Sequence, residues 1–167
     1  MGNKKNRNSM AKRSKKKVSA KKPLGISACL IVKNEEKLLS RCLTSIEGLV
    51  DEIIVVDTGS TDKTVEIAES YGAKVYHHPW ENDFSKHRNQ SIQHASGDWV
   101  FVIDADEEVV RWDSNIDSVI QDKSIDTVQV VVQNAFGGGE GTAWHNSIRL
   151  FRNEKSIING DIRAERA

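Results

Sequence analysis

The strongest constraint on the fold is an alternation of strand-length apolar runs with segments of helical spacing. The runs are almost continuously apolar, as strands buried on both faces of a parallel sheet are. Such an alternation predicts a mostly parallel, doubly wound α/β sheet flanked by helices, with right-handed crossovers. The predicted strands are Ile26–Val32, Glu52–Val56, Lys74–Tyr76 and Trp99–Ile103, and the predicted helices are Glu35–Ile46, Asp62–Tyr71 and Phe84–Ala95.

The remainder of the pattern is less regular. A weaker helix is predicted over Trp112–Ile120, and two strands, Thr127–Gln133 and Ser147–Phe151, flank a glycine-rich loop. We expect these two strands to form a partial antiparallel part after the parallel sheet. A flavodoxin-like strand order is the main structural alternative. Ser60 or Thr61 is the predicted N-cap of the second helix.

Charge divides the 167-residue chain into two parts. Residues 1–22 carry ten Lys and Arg and no Asp or Glu, whereas residues 23–167 carry 14 basic and 24 acidic residues, a net of −10. The first part has too few apolar residues to offset its ordering entropy, and we predict a disordered basic tail. It would tether the chain to an anionic membrane surface or to nucleic acid, or simply aid solubility. The acidic domain, residues 23–167, argues against a specific nucleic-acid face.

The sequence shows neither a secretion signal nor a membrane span. The segment Ile26–Cys29 looks like a lipoprotein cleavage site, but only three residues separate it from Lys22, and a signal peptide needs a longer apolar core. No run approaches the roughly 20 apolar residues that cross a bilayer. Cys29 and Cys42 both lie in apolar patterns, which favours reduced, buried thiols over a disulfide. We therefore expect a cytoplasmic protein, peripheral to the membrane where the tail binds lipid.

Carboxylates follow three of the predicted strands. Glu35, Asp57 and the pair Asp104 and Asp106 all come directly after a strand end. Ligands of open α/β sheets bind beyond the carboxyl ends of the strands, and clustered carboxylates repel unless a cation lies among them. We expect Asp104 and Asp106 to lie on the same side of an extended segment, because side chains alternate along a strand. Such a pair suits Mg²⁺ or Mn²⁺, although acidic pairs also occur as turn residues and helix caps.

Two further side chains have an equally open interpretation. Asp57 could accept a hydrogen bond from a ribose or base, or it could be a turn residue before a helix. Arg88 could pair with a phosphate, or it could be a solvated helix residue.

His77, His78 and His87 do not have zinc-ligand spacing and are interpreted as loop and surface residues. Dinucleotide and P-loop glycine motifs are absent from the sequence.

Taken together, these segments resemble the family 2 glycosyltransferases of GT-A fold, a Rossmann-like architecture. The nearest resemblance is to the bacterial branch that includes lipopolysaccharide-core and peptide glycosyltransferases. The resemblance covers roughly residues 26–153, and its motifs are specific as a set rather than singly. The matching segments are Ile26–Glu35, Glu52–Asp62, Trp80–Asn89, Gly97–Glu108 and Arg149–Asn153.

The resemblance implies the transfer of a sugar from a nucleotide-diphosphate donor to an acceptor of unidentified class: a glycan, a lipid-linked molecule or a peptide. It implies that Lys33 and Glu35 line the nucleotide pocket, that Asp57 holds the base and that Asp104 approaches the ribose. Asp106 would ligate the Mn²⁺ or Mg²⁺ that bridges the diphosphate. Arg88 is the candidate phosphate contact.

The resemblance ends before the end of the chain. Where members of the branch have Gly-x-Ile/Val-His-Glu, this sequence has Gly160-Asp161-Ile162-Arg163-Ala164-Glu165. Asp161 and Glu165 are weak candidates for the catalytic base, and the catalytic residue stays unassigned. We expect a GT-A domain that is incomplete at its C-terminus. The alternative function is a truncated, catalytically weak nucleotide-sugar-binding remnant.

A phosphatase mechanism is a competing interpretation of the same acidic pair. Asp104 would be the phosphorylated nucleophile and Asp106 the acid. Such enzymes want Thr or Val two residues after the second Asp, and position 108 is Glu. This substitution argues against the phosphatase interpretation.

Overall fold

A computed structural model describes residues 25–136 and 141–154. The basic tail, most of the glycine-rich loop, Asp161 and Glu165 lie outside these residues. The elements within them, in chain order, are β1 (Ile26–Val32), α1 (Leu39–Ile46), β2 (Glu52–Asp57), α2 (Thr64–Ser70), β3 (Lys74–His77), α3 (Phe84–Gln93), β4 (Trp99–Val102), α4 (Ile116–Gln121), β5 (Thr127–Phe136) and β6 (Gly141–Arg152).

The six strands form one mixed sheet in the order β3-β2-β1-β4-β6-β5. The first four are parallel, and β6 is antiparallel to both β4 and β5. This confirms the doubly wound sheet with an antiparallel end. A flavodoxin-like order would place β1 between β2 and β3, so that alternative is wrong. The chain reverses direction across the sheet between β1 and β4, and their carboxyl ends form the switch point at which such sheets bind ligands.

The central strands bury both of their faces, which is why they are apolar throughout. On one face, α1 contributes Leu39, Cys42, Leu43 and Ile46, each fully buried. On the other face, Ile92 of α3 packs with Cys29, Ile54 and Val100. Full burial of one such side chain stabilises the fold by about 1.5–3 kcal/mol. The two helical layers therefore hold the strand ends, and the loops that follow them, in fixed positions.

Both cysteine thiols are free and buried, as the sequence predicted. The Cys29 thiol donates to the Ser91 carbonyl at 3.5 Å, and the Cys42 thiol donates to the Asp104 carbonyl at 3.4 Å. Burial raises the pKa of each thiol to about 12. No helix among the described residues has the length and apolar character needed to cross a membrane.

Several local predictions differ from the structure. Helices α1 and α4 begin at Leu39 and Ile116, later than predicted. Neither Ser60 nor Thr61 caps α2, because Ser60 Oγ accepts from the Asn34 amide at 2.9 Å and the Thr61 amide donates to Asn34 Oδ1 at 2.8 Å. Strand β6 has 12 residues and not five, since its pairing with β5 extends from Gly141 to Phe151. Residues 143–146 in its first half are exposed, so no buried apolar face marks that half in the sequence.

Candidate functional site

The loops after β1 and β2 are joined into one rigid wall. Asn34 has a left-handed backbone conformation, with φ of 57°, which turns its side chain toward the second loop. Besides the Asn34 contacts with that loop, the Glu35 amide donates to Thr64 Oγ1 at 2.7 Å and the Glu36 amide donates to Asp62 Oδ2 at 3.2 Å. These bonds fix the backbone on which Lys33 and Glu35 are placed.

Asp57 lies at the end of β2 with its carboxylate turned back on its own loop. The carboxylate accepts from the Gly59 amide at 3.3 Å and the Ser60 amide at 3.1 Å, and it contacts His77 Nδ1 at 3.2 Å. Burial alone would raise the pKa of Asp57, but these hydrogen bonds outweigh it and lower the pKa. The Asp57 carboxylate thus stabilises the turn that follows β2, and its contact with a base stays a prediction.

A cavity of about 270 Å³ opens beside this wall. Lys33 and Glu35 line one side, and the exposed rings of Trp80 and Phe84 line another. The indole Nε1 of Trp80 donates to Asn82 Oδ1 at 3.0 Å, which fixes the ring. The remaining lining residues are Ile31, Val32 and Thr58. The structure thus brings the predicted residues Lys33 and Glu35 together and adds an aromatic wall to them.

The segment after β4 is a tight turn, not an extended strand. The Glu107 amide donates to the Asp104 carbonyl at 3.0 Å, with Ala105 and Asp106 between them. The expectation that Asp104 and Asp106 lie on one side of an extended segment is therefore wrong. Turn geometry separates the two carboxylates, since Asp104 points into the protein and Asp106 is exposed.

Two arginines hold the Asp104 carboxylate. Arg88 Nη2 lies 2.5 Å from Oδ1, and Arg149 Nη1 lies 3.4 Å from Oδ2. Burial would raise the pKa of Asp104, but the two guanidinium groups outweigh it and lower the pKa. Arg88 is nearly buried and not solvated, so the surface interpretation of Arg88 is wrong. Its contact with a phosphate, and the approach of Asp104 to a ribose, stay predictions.

Asp106 is the exposed carboxylate at the tip of the turn. Within residues 25–136 and 141–154 its carboxylate makes no hydrogen bond or ion pair, although its carbonyl accepts from Arg41 Nη2 at 3.4 Å. Burial, and then the negative charge of Asp106, raise the pKa of Glu35. Glu35 lines the cavity, and the Asp106 charge acts on it from the turn after β4.

This arrangement fits a cation that is shared with a ligand. No group of three or more His, Cys, Asp or Glu among the described residues could hold a metal ion alone. Mg²⁺ is commonly bound by one or two carboxylates, with substrate phosphates and waters completing its shell. One free carboxylate with a second nearby meets that requirement.

Helix α1 supports the turn Asp104–Glu107, which we call the acidic turn. Arg41 Nε lies 3.1 Å from Glu108 Oε2, and the Val109 amide donates to Ser45 Oγ at 2.9 Å. Together with the Cys42 thiol on the Asp104 carbonyl, these contacts tie both ends of the turn to one helix. The position of Asp106 is therefore set by packing rather than by a free loop.

Sequence reasoning missed or misplaced four participants. Arg149 and Glu107 lie 2.6 Å apart, and only the place of Arg149 in the Arg-Leu-Phe-Arg-Asn segment pointed to it. Phe84 could have been found as an aromatic residue at the start of a helix near the switch point. His87 is fully buried, stacks on Trp80 and accepts from the Glu81 amide at 3.2 Å, so its interpretation as a surface residue is wrong.

A sequence model of Glycosyl transferase family 2 matches residues 27–164, which includes every strand end described above. The chain belongs to this family. Membership confirms the resemblance and the glycosyltransferase class, and the sheet agrees with the expected GT-A architecture.

Relatives of this family 2 domain are longer proteins. A TPR repeat-containing protein of Synechococcus elongatus is 42% identical over 134 residues, which are 79% of this chain and 32% of that protein. The SPbeta prophage-derived glycosyltransferase SunS of Bacillus subtilis is 32% identical over 144 residues, 84% of this chain and 34% of SunS. The chain thus spans about a third of the length of these relatives.

A solved structure of glucosyl-3-phosphoglycerate synthase from Mycobacterium tuberculosis, in complex with uridine diphosphate, also matches this family 2 domain. It is 35% identical, covers 50% of this chain and 34% of its own, and has a TM-score of 0.46. The family assignment rests on the sequence match over residues 27–164.

Proposed function

We propose that this chain carries the donor site of a glycosyltransferase that moves a sugar from a nucleotide diphosphate to an acceptor. The observation that supports it best is an aromatic-walled cavity at the end of β1, next to β4 at the switch point of the sheet, together with an exposed Asp106 carboxylate after β4 that has no partner among the described residues. A planar base suits the Trp80 and Phe84 rings, where stacking contributes about 1–3 kcal/mol. Family membership supports the reaction class.

Lys33, Asp106 and the two arginines would each have a separate role in donor binding. Lys33 lines the cavity without a salt bridge among the described residues, so its ammonium group is available to a phosphate. Asp106 would hold Mn²⁺ or Mg²⁺, which when bound offsets the negative charge that develops on the leaving diphosphate. Arg88 and Arg149 keep Asp104 ionised and in place.

The basic tail supports a second, separable proposal. Residues 1–22 concentrate ten positive charges, and each contributes about 1 kcal/mol near an anionic bilayer. We propose that the chain works in the cytoplasm and binds peripherally to such a surface through its tail.

The donor proposal is tested with the 167-residue chain by calorimetric titration. Uridine, guanosine, adenosine and cytidine diphosphates are compared with and without Mn²⁺. We expect one of them to bind in a Mn²⁺-dependent way, and Asp106→Asn to weaken that binding at least about tenfold, because a charge partner is lost. The matched control is Asp117→Asn, an exposed Asp on α4 that should have no effect.

Two results would count against the proposal. Absence of binding by all four nucleotides would overturn the donor site itself. Unchanged affinity in a folded Asp106→Asn variant would remove Asp106 from the site. Transfer of label from a bound sugar nucleotide to components of a cell extract would then test the reaction directly.

A further inference from the structure

The two edge strands of the sheet differ in how well they are protected from pairing with another chain. Strand β3, at one edge, is four residues long and begins with a lysine, and both features discourage such pairing. Strand β5, at the other edge, pairs only with β6 among the described residues. It is ten residues long, and Thr127–Phe136 contains neither a charged residue nor a proline. Its backbone is therefore an open template for a further strand.

One face of the β5–β6 hairpin also carries exposed apolar side chains. Val131, Trp144 and Ile148 are 66%, 63% and 52% exposed, and they are three of the six large exposed apolar residues in the described part of the chain. Trp144 pairs with Gln133, and Ile148 pairs with Gln129. Both glutamines lie two residues from Val131, so the three apolar side chains share one face. Exposed apolar surface concentrated in this way marks a site of protein interaction.

The sequence of β5 reads the same in both directions about Val131. The segment Gln129-Val130-Val131-Val132-Gln133 is a palindrome. In an antiparallel pair of two copies with a two-fold axis at Val131, valine faces valine and each Gln129 faces the Gln133 of the second copy. Branched side chains pack well at opposite positions of antiparallel strands, and a glutamine amide offers both a donor and an acceptor to another. Strand β5 is thus complementary to itself.

Neither the geometry of β5 nor its charged neighbours oppose this pairing. The register shift in the β5–β6 ladder lies between Val128 and Gln129, before the palindrome, and the ladder is regular from Gln129 onward. A bulge can protect an edge by twisting it away, but this one lies outside the palindromic segment. The charged residue directly before β5, Asp126, lies 3.5 Å from Arg152, which offsets its charge. The segment that two copies would share is therefore regular and uncharged.

We propose that β5 is a dimerisation edge, at which two copies of this chain join their sheets by antiparallel β5–β5 pairing centred on Val131. Pairing over the five palindromic residues forms about four to six backbone hydrogen bonds between the copies. Such an interface is smaller than that of a stable dimer, so the dissociation constant is roughly 10–100 µM.

The symmetry of this pairing limits the assembly to two copies. Each copy uses its own β5, and the remaining edge, β3, is short and charged, so association closes at a dimer and does not continue into a fibre. The two-fold axis is perpendicular to the sheet, and equivalent strands of the two copies run in opposite directions. The carboxyl ends of β1 and β4 in the two copies therefore lie at opposite edges of the joined sheet. This inference does not depend on the proposed donor site.

The test is sedimentation equilibrium of the 167-residue chain over concentrations from about 1 to about 200 µM, a range that brackets the expected dissociation constant. Salt at about 0.3 M screens the repulsion between the two acidic domains. We expect a reversible equilibrium of monomer and dimer without larger species. A chain that stays monomeric over this range, or that forms only larger species, overturns the proposal and leaves the edge to a different strand.

A charge at the two-fold axis should separate the copies. Val131→Lys places two ammonium groups opposite each other, and we expect dimerisation to weaken at least about tenfold, because like charges at opposite positions destabilise a sheet. Val131 is exposed, so the monomer should keep its fold and its melting temperature. The matched control is Val110→Lys, the same change at an exposed valine outside β5, which should dimerise like the wild type. An undiminished dimer of folded Val131→Lys overturns the proposal.

A mixture of two variants tests the register. Val131→Glu alone should also weaken dimerisation, since two carboxylates then meet at the axis. An equimolar mixture of Val131→Lys and Val131→Glu should dimerise at least about fivefold more tightly than either variant alone, because opposite charges face each other in the mixed dimer. A general loss of edge structure would show no such rescue. Absence of the rescue overturns the pairing centred on Val131.

Discussion

Single side chains at this site owe their charge state to residues distant in the sequence. The Asp104 pKa is lowered against burial by Arg88, 16 residues before it, and by Arg149, 45 residues after it. The Glu107 pKa is raised by burial, with the Asp104 and Asp106 charges adding to it. The pKa values of Asp104 and Glu107, in the same turn, thus shift in opposite directions. Asp104 contacts two arginines, whereas Glu107 contacts only Arg149, which also contacts Asp104.

The cysteines give a prediction at the same scale. With thiol pKa values of about 12, Cys29 and Cys42 should not react with a thiol-specific disulfide reagent at pH 8 in the native state. Both should react once denaturant unfolds the chain, which supplies the control. Rapid native labelling of one thiol would show that β1 or α1 opens locally.

At the scale of elements, one carboxylate joins β1, β2, β3 and the loop before β4. Glu52 Oε2 accepts from Lys74 Nζ at 2.8 Å, and its Oε1 accepts from the Ser27 hydroxyl and from the Ser96 amide at 2.5 Å. These residues lie at the amino edge of the sheet, opposite the proposed donor site. Glu52 thus links the starts of three strands at that edge.

Low pH should weaken the contacts that the Glu52 carboxylate makes with these strands. Burial would raise the pKa of Glu52, but its hydrogen bonds, with that from Lys74 the largest, outweigh burial and lower the pKa from 4.5 to about 2. A lowered folded-state pKa gives stability that is present above pH 4.5 and lost as pH falls toward about 2. Glu52→Gln should lower the free energy of unfolding by about 2 kcal/mol at pH 7, and the difference should vanish near pH 2 in thermal melts. A constant difference would exclude ionisation as its cause.

Sequence patterns predicted the strands that are buried on both faces and missed the first half of β6. Strands β1, β2 and β4 are apolar because two helical layers cover them, so length and polarity locate them. The outer half of β6 depends on backbone pairing with β5, and nothing in its side chains shows that. For the site, strand-end carboxylates were found, whereas their separation by the Asp104–Glu107 turn and the bridge from Arg149 depend on tertiary contacts.

The whole molecule combines a strongly basic segment with an acidic domain. Residues 1–22 carry ten positive charges, and the domain has a net of −10. At about 0.15 M salt, exposed charges act over roughly 8 Å, so the tail would contact an anionic surface only at close range. The tail and the donor site should therefore act independently.

Deletion of residues 1–22 tests that independence. We expect an almost unchanged melting temperature, because the predicted disordered tail contributes little packing, and a loss of binding to anionic vesicles. Sedimentation with phosphatidylserine vesicles at low and high salt measures it, and a chain whose tail sequence is scrambled at constant composition is the control. A large drop in melting temperature would mean that the tail packs on the domain.

The strand order also bears on how the protein is made. Strand β1 is completed by β4, and the Gly25 amide that starts this pairing bonds to a carboxylate 73 residues later. Contacts so distant in sequence slow folding, and during synthesis β1 leaves the ribosome long before its partner does. The β1–β2–β3 unit is available early, with one side of β1 unpaired. The acidic turn that follows β4 is consequently among the last parts of this sheet edge to be assembled, since β4 pairs with β1 only after residue 102 has emerged.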